Sequence, residues 1–171
     1  MTGPARILEF PGRPLQKTIP VEHSMTRELA KEEVTLELLC VRLQEAGYEA
    51  VISDDEIAVQ RTGCNLRIRC YPEHASVRIH GCYLMRSNLP EADLDEFIAL
   101  VSARSFLVNY SGMRWDDGSV GVFGSTVMFY PFGLNLPNFI FTMRRLVEAM
   151  SGMMTEHSSN AKYFPQDGEG D

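Results

Sequence analysis

Two consecutive runs alternate with period two, and this constrains the fold more than any other feature of the chain. In Asn65–Tyr71, Leu66, Ile68 and Cys70 fall on one side and Arg67 and Arg69 on the other. After the turn-forming Pro72-Glu73-His74-Ala75, Ser76–Leu84 sets Val77 and Ile79 against Arg78 and His80. Side chains on a β-strand alternate between the two faces of a sheet, so each run has one apolar face and one charged face. A connection this short joins neighbouring strands head to tail; parallel strands need a crossover of a dozen residues or more. The runs therefore predict an antiparallel meander with one face buried and one face polar.

The flanking segments supply the rest of the architecture. Thr26 through Ala46 reads as a helix ended by Gly47, with Leu29, Leu36, Leu39, Leu43 and Ala46 as its main stripe. A second stripe, Ala30, Val34, Leu38 and Val41, lies nearly opposite and calls for a further helix or a second subunit to cover it. Glu49–Arg61 reads as one strand, or as a hairpin turned at Asp54-Asp55. A second helix starts near Pro90, with Glu91, Asp93, Asp95 and Glu96 complementing the positive end of its dipole. Phe106–Trp115 and Ser119–Tyr130 form two strands joined by Asp116-Asp117-Gly118, a strong hairpin signal. A last helix follows Pro137 and buries Phe139, Ile140, Met143, Leu146, Val147, Met150 and Met154. The expected fold is α+β: a five-stranded antiparallel sheet with three helices packed on one face, in the order α-β-β-β-α-β-β-α. The expected organisation is an extended proline-rich arm over 1–25, one domain over 26–154, and a disordered acidic tail over 155–171.

Chemical motifs are scarce. The sequence contains no nucleophile elbow, zinc-protease helix, P-loop or dinucleotide fingerprint. Gly118, Gly121 and Gly124 recur inside a strand pattern, where they mark bulges or close backbone approach. Cys40, Cys64, Cys70 and Cys82 have irregular spacings and no C-x-x-C, so they read as thiols of a reduced protein; a metal cluster of Cys64, Cys70 and Cys82 with His74 and His80 is the weaker alternative. The chain carries 16 basic and 23 acidic side chains, for a net charge of −7, which argues against a nucleic-acid partner. No apolar run is long enough for a membrane span, and the first residues lack a secretory signal, so a cytoplasmic location is expected and a membrane partner is not.

Three stretches resemble the YbjN family, described as candidate bacterial sensory transduction regulators. They are Leu38-Leu39 with Leu43–Ala50 and Ile57–Val59, the hairpin Met113–Val122, and Gly133-Leu134-Asn135 through Arg144–Glu148. The resemblance implies a fold similar to that of type III secretion chaperones over residues 34 to 152. It implies no catalytic residues, and these stretches are fold signatures rather than chemical motifs.

Two groups of side chains stand out as candidates for binding. Arg67, Arg69, Arg78 and His80 share the charged face of two neighbouring strands, a positive patch suited to an acidic peptide, a phosphate or an acidic surface; the same pattern also fits a merely solvated face. Residues 119–130 are apolar on both alternating sets, with Phe123, Val127 and Phe129 on the second, and Phe141 lies off the buried stripe of the last helix. Methionines 150, 153 and 154 add a soft case for an adaptable surface, against the default of core filler. The expectation is a non-catalytic protein that binds another protein, with homodimerisation through one of these surfaces as a further expectation, and with neither catalytic residues nor a cofactor or metal. The rival expectation is a small-ligand sensor or enzyme with a pocket lined by Tyr83, Tyr110, Trp115 and Cys70.

Overall fold

The computed structural model describes residues 28–60, 62 and 64–165. The expected arm over 1–25 and residues 166–171 of the expected tail lie outside the described residues. In chain order the elements are β1 Glu28–Leu29, α1 Leu36–Glu45, β2 Ala50–Ser53, β3 Glu56–Val59, β4 Leu66–Tyr71, β5 Ser76–Leu84, α2 Glu91–Ser102, β6 Asn109–Arg114, β7 Val120–Phe129, β8 Leu134–Asn135 and α3 Leu136–His157. The main sheet is antiparallel throughout, with strand order β2-β3-β4-β5-β7-β6. All three helices cover the same face of it.

The expected five strands become six in this sheet, because Glu49–Arg61 takes the hairpin alternative. Asp54 and Asp55 both adopt left-handed backbone, at φ 54° and 60°, which suits the tight two-residue turn that follows the twist of paired strands. A separate two-stranded ribbon, β1 with β8, adds the remaining two strands.

That ribbon is also the reason the helix expected over 26–46 is shorter. Thr35 caps α1 by accepting a hydrogen bond from the Leu38 N–H, so the helix starts at Leu36. Residues 31–33 form a single 3₁₀ turn, and Glu28 and Leu29 pair with Asn135 and Leu134. Leu29 and Val34 are buried, but as part of this ribbon and turn. The second helical stripe therefore does not exist: Ala30 and Val41 are exposed. The ribbon itself depends on Gly133, which has φ +127°; a Cβ there would lie 2.7 Å from the Leu29 carbonyl oxygen.

The core lies between the helices and one sheet face. Ile57, Val59, Leu66, Ile68, Val77, Ile79, Val120 and Val122 meet Leu39 and Leu43 of α1, Leu94 and Phe97 of α2, and Phe139, Met143, Leu146 and Met150 of α3. Met150 and Met153 are core residues, so the methionine-rich end of α3 is no open contact surface. Two glycines let the helices sit close to the sheet: a Cβ on Gly112 would meet Leu94 at 2.6 Å, and one on Gly124 would collide with Met150.

The expected boundary at 154 also moves. The last helix runs on to His157, and the chain then turns back so that Tyr163 and Phe164 are buried against Phe97. Lys162 bonds the Glu96 carboxylate at 2.7 Å, and the Tyr163 hydroxyl donates to Glu96 at 2.9 Å, fastening this turn to α2. Two aromatic anchors inside a polar stretch escape a reading based on average composition. No helix among the described residues is long and apolar enough to cross a membrane.

Candidate docking face

The strand registers decide which side chains share the uncovered face. Arg67 lies opposite His80, and Arg69 opposite Arg78. On the next strand Val127 lies opposite Arg78, Ser125 opposite His80, Phe129 opposite Ser76 and Phe123 opposite Cys82. Since Ile68, Val77, Ile79 and Val122 point into the core, their alternating neighbours point away from it. Seven of the eight side chains singled out in the sequence, namely Arg67, Arg69, Arg78, His80, Phe123, Val127 and Phe129, thus form one continuous surface. Phe141 stands apart on α3, across the sheet from the other seven, and is 64% exposed.

The face divides into two strips. The central strands β4 and β5 carry the arginines and His80. Beside them, β7 carries Phe129, 72% exposed, Val127, 45% exposed, and the partly covered Phe123. Leu84 near one end, Met113 on the edge strand β6 and Val51 on the other edge strand extend the exposed apolar area. Trp115 lies on this face as well, packed over Gly121, where a Cβ would lie 2.7 Å from its ring. Its indole sits 6.0 Å from the Phe123 ring, which in turn is 6.3 Å from His80. An indole laid against bare backbone in this way is what Gly121 makes possible.

Glu56 is the member of this face that reading the sequence missed. It sits on β3, and one carboxylate oxygen, Oε1, is 2.9 Å from Arg69 Nε and 3.9 Å from His80 Nε2. The signal was present: taking Asp54-Asp55 as a hairpin turn, with Ile57 facing inward, places Glu56 outward beside Arg69. His80 itself is only 15% exposed, and its Nδ1 has no partner among the described residues. Burial pushes the imidazole below its ordinary pKa of 6.5; Glu56 opposes that shift, and Arg78, Arg69 and Arg67 reinforce it. His80 is therefore neutral at physiological pH, and the positive charge of the face belongs to its arginines. With Arg69 engaged by Glu56, Arg67 and Arg78 make no ion pair among the described residues.

The residues of the rival pocket do not converge. Tyr83, Tyr110 and Cys70 lie on the helix-covered side, whereas Trp115 lies on the open side. Burial raises the Cys64 and Cys70 thiols to about 11 and Cys82 to about 12, so all three are poor nucleophiles at neutral pH. Among the described residues no three His, Cys, Asp or Glu side chains gather as metal ligands would.

No family model matches the sequence, and no curated protein matches it in sequence. Solved structures do match in shape. The crystal structure of YbjN from E. coli, a candidate transcription regulator, superimposes with a TM-score of 0.66 at 14% identity, covering 77% of this chain and 97% of that one. The chain has a YbjN-like fold. An uncharacterized protein from Methanothermobacter thermautotrophicus matches with a TM-score of 0.52, also at 14% identity, covering 73% of this chain and 99% of its own. At such identity the likeness concerns the backbone alone.

Proposed function

We propose that this YbjN-like chain is a non-catalytic protein-docking module of the cytoplasm, a chaperone-like adaptor or sensory-transduction regulator in the manner of type III secretion chaperones, and that the open sheet face is its working surface. One observation carries this reading. The helices leave one face of the six-stranded sheet uncovered, and on it Phe129 and Val127 stand exposed beside Arg78, with Met113 and Leu84 exposed on either side of Gly121 further along β7. Isolated exposed apolar residues are ordinary, but a contiguous set rimmed by charge marks an interaction surface. Buried aromatic anchors and arginines are also the side chains that dominate binding energy at interfaces.

The test is affinity capture from an extract of the organism that makes the protein, using the tagged full chain, Val127→Asp/Phe129→Asp and Phe141→Asp. The expected result is a protein held by the wild-type chain and by Phe141→Asp and lost from the double variant. Capture of the same proteins by all three would overturn the assignment of the face.

A further inference from the structure

The arrangement of the two strips says what kind of partner fits, given the docking reading above. We infer that the open face receives an amphipathic helix of another protein, one whose apolar stripe is flanked on one side by Asp or Glu.

The argument starts from geometry. Phe123 and Phe129 are separated by six residues of β7, about 20 Å of strand at roughly 3.3 Å per residue. A helix of about 13 residues has the same length, and an apolar stripe continued through i, i+3, i+4, i+7, i+8 and i+11 would run along Phe123, Val127 and Phe129 in turn. Strands lie about 4.8 Å apart, so a helix about 10 Å across that is seated on β7 reaches over β5 towards β4. Its flank on that side therefore lies above Arg78, and Arg67, one strand further out, comes within reach of a long side chain projecting from that flank. These arginines make no ion pair among the described residues, and Glu56, the carboxylate on the neighbouring strand, is engaged by Arg69. Charge complementarity then selects carboxylates on that flank, because an arginine fork covered without one loses its water and gains nothing in return.

Neither of the other possible occupants meets these conditions as well. A strand cannot add here by backbone pairing, because β4, β5 and β7 already have neighbours on both sides. A second copy joined through the same face would set guanidinium against guanidinium, or against the phenylalanines and valine of β7, and Glu56, the carboxylate beside these arginines on the face, is already engaged by Arg69.

The experiment uses the full chain and two Trp-free synthetic peptides of 15 residues or so, helical, with a leucine stripe flanked on one side by Glu in one and by Lys in the other. Binding is read by anisotropy of the labelled peptide and by the emission of Trp115, the chain's single tryptophan, which sits on this face. The Glu peptide should bind and the Lys peptide should not. Arg67→Glu/Arg78→Glu should weaken the Glu peptide by about tenfold or more and confer binding of the Lys peptide. Val127→Ser/Phe129→Ser should abolish binding of the Glu peptide. Circular dichroism checks each variant for folding, and Arg67→Ala/Arg78→Ala provides a milder version of the charge change.

Equal binding of the two peptides would overturn the acidic-helix assignment. So would failure of the Glu peptide to bind, tighter binding of a single-stranded oligonucleotide than of the Glu peptide, or a dimer in sedimentation that Val127→Ser/Phe129→Ser dissolves. Face-dependent capture from the extract alongside any of these outcomes would leave the docking reading standing and remove only the acidic helix.

Discussion

The two faces of the central sheet are written in the same strands and do opposite work. On β5, Val77 and Ile79 are fully buried beneath the helices, while the half-buried Arg78 and His80, one residue away, lie on the opposite face. The buried face is apolar and interdigitated with three helices, so its side chains are bound to the fold. The open face mixes arginine with exposed phenylalanine and valine, a combination that the fold does not require. The difference teaches that period two lets one strand hold a core and carry a surface, with little cost passed from one to the other.

The largest effect that would break this contrast is on the buried side. Ile79→Ala should cost about 2–5 kcal/mol in urea denaturation, as a large-to-small change in a packed core does. Arg78→Ala, its immediate neighbour, should stay within about 0.5 kcal/mol. Similar losses at both positions would mean that the open face is structural after all.

The next effect sharpens the boundary between the faces. Gly121→Val should dislodge Trp115 from the sheet, costing about 1–3 kcal/mol by overpacking and shifting its fluorescence to the red. Unchanged emission would show that the indole does not rest there.

A smaller effect follows from His80. Its folded pKa is depressed below 6.5, so as pH falls through 6.5 the unfolded chain takes up a proton before the folded one does. Stability should be level above that pH and decline below it, and His80→Gln should flatten part of the decline. A variant with the same pH profile as wild type would show that the imidazole is not desolvated. The smallest expected effect is that of Phe129→Ser, which should leave stability within about 0.5 kcal/mol, because the side chain is 72% exposed.

The contrast between faces was legible in the sequence because alternation is local: Arg67, Arg69, Arg78 and His80 declare their side within a few residues. The hairpins were legible for a similar reason, since Asp-Asp and Asp-Gly turns carry their own backbone preference; Gly118, at φ +83°, closes the second one. What was not legible depended on contacts distant in sequence. Leu29 and Leu36 are spaced as on a helix, but pairing of Leu29 with Leu134 draws the first into a strand. Tyr163 and Phe164 are anchored by Phe97 and Glu96, some 67 residues away. Glu56 was within reach of local reasoning through the Asp54-Asp55 turn, but its pairing with Arg69, which leaves Arg67 and Arg78 without an ion pair among the described residues, depended on the register beside β4.

The most direct test of the central claim is radical footprinting of the open face, with the purified full chain labelled alone and again in native extract. Phe129 and Met113 should be readily modified in the isolated protein and protected in the extract, while Phe141 is modified equally in both. Phe129 and Met113 already protected in the isolated chain, or never protected in the extract, would contradict the account of this face as a surface kept open for a partner.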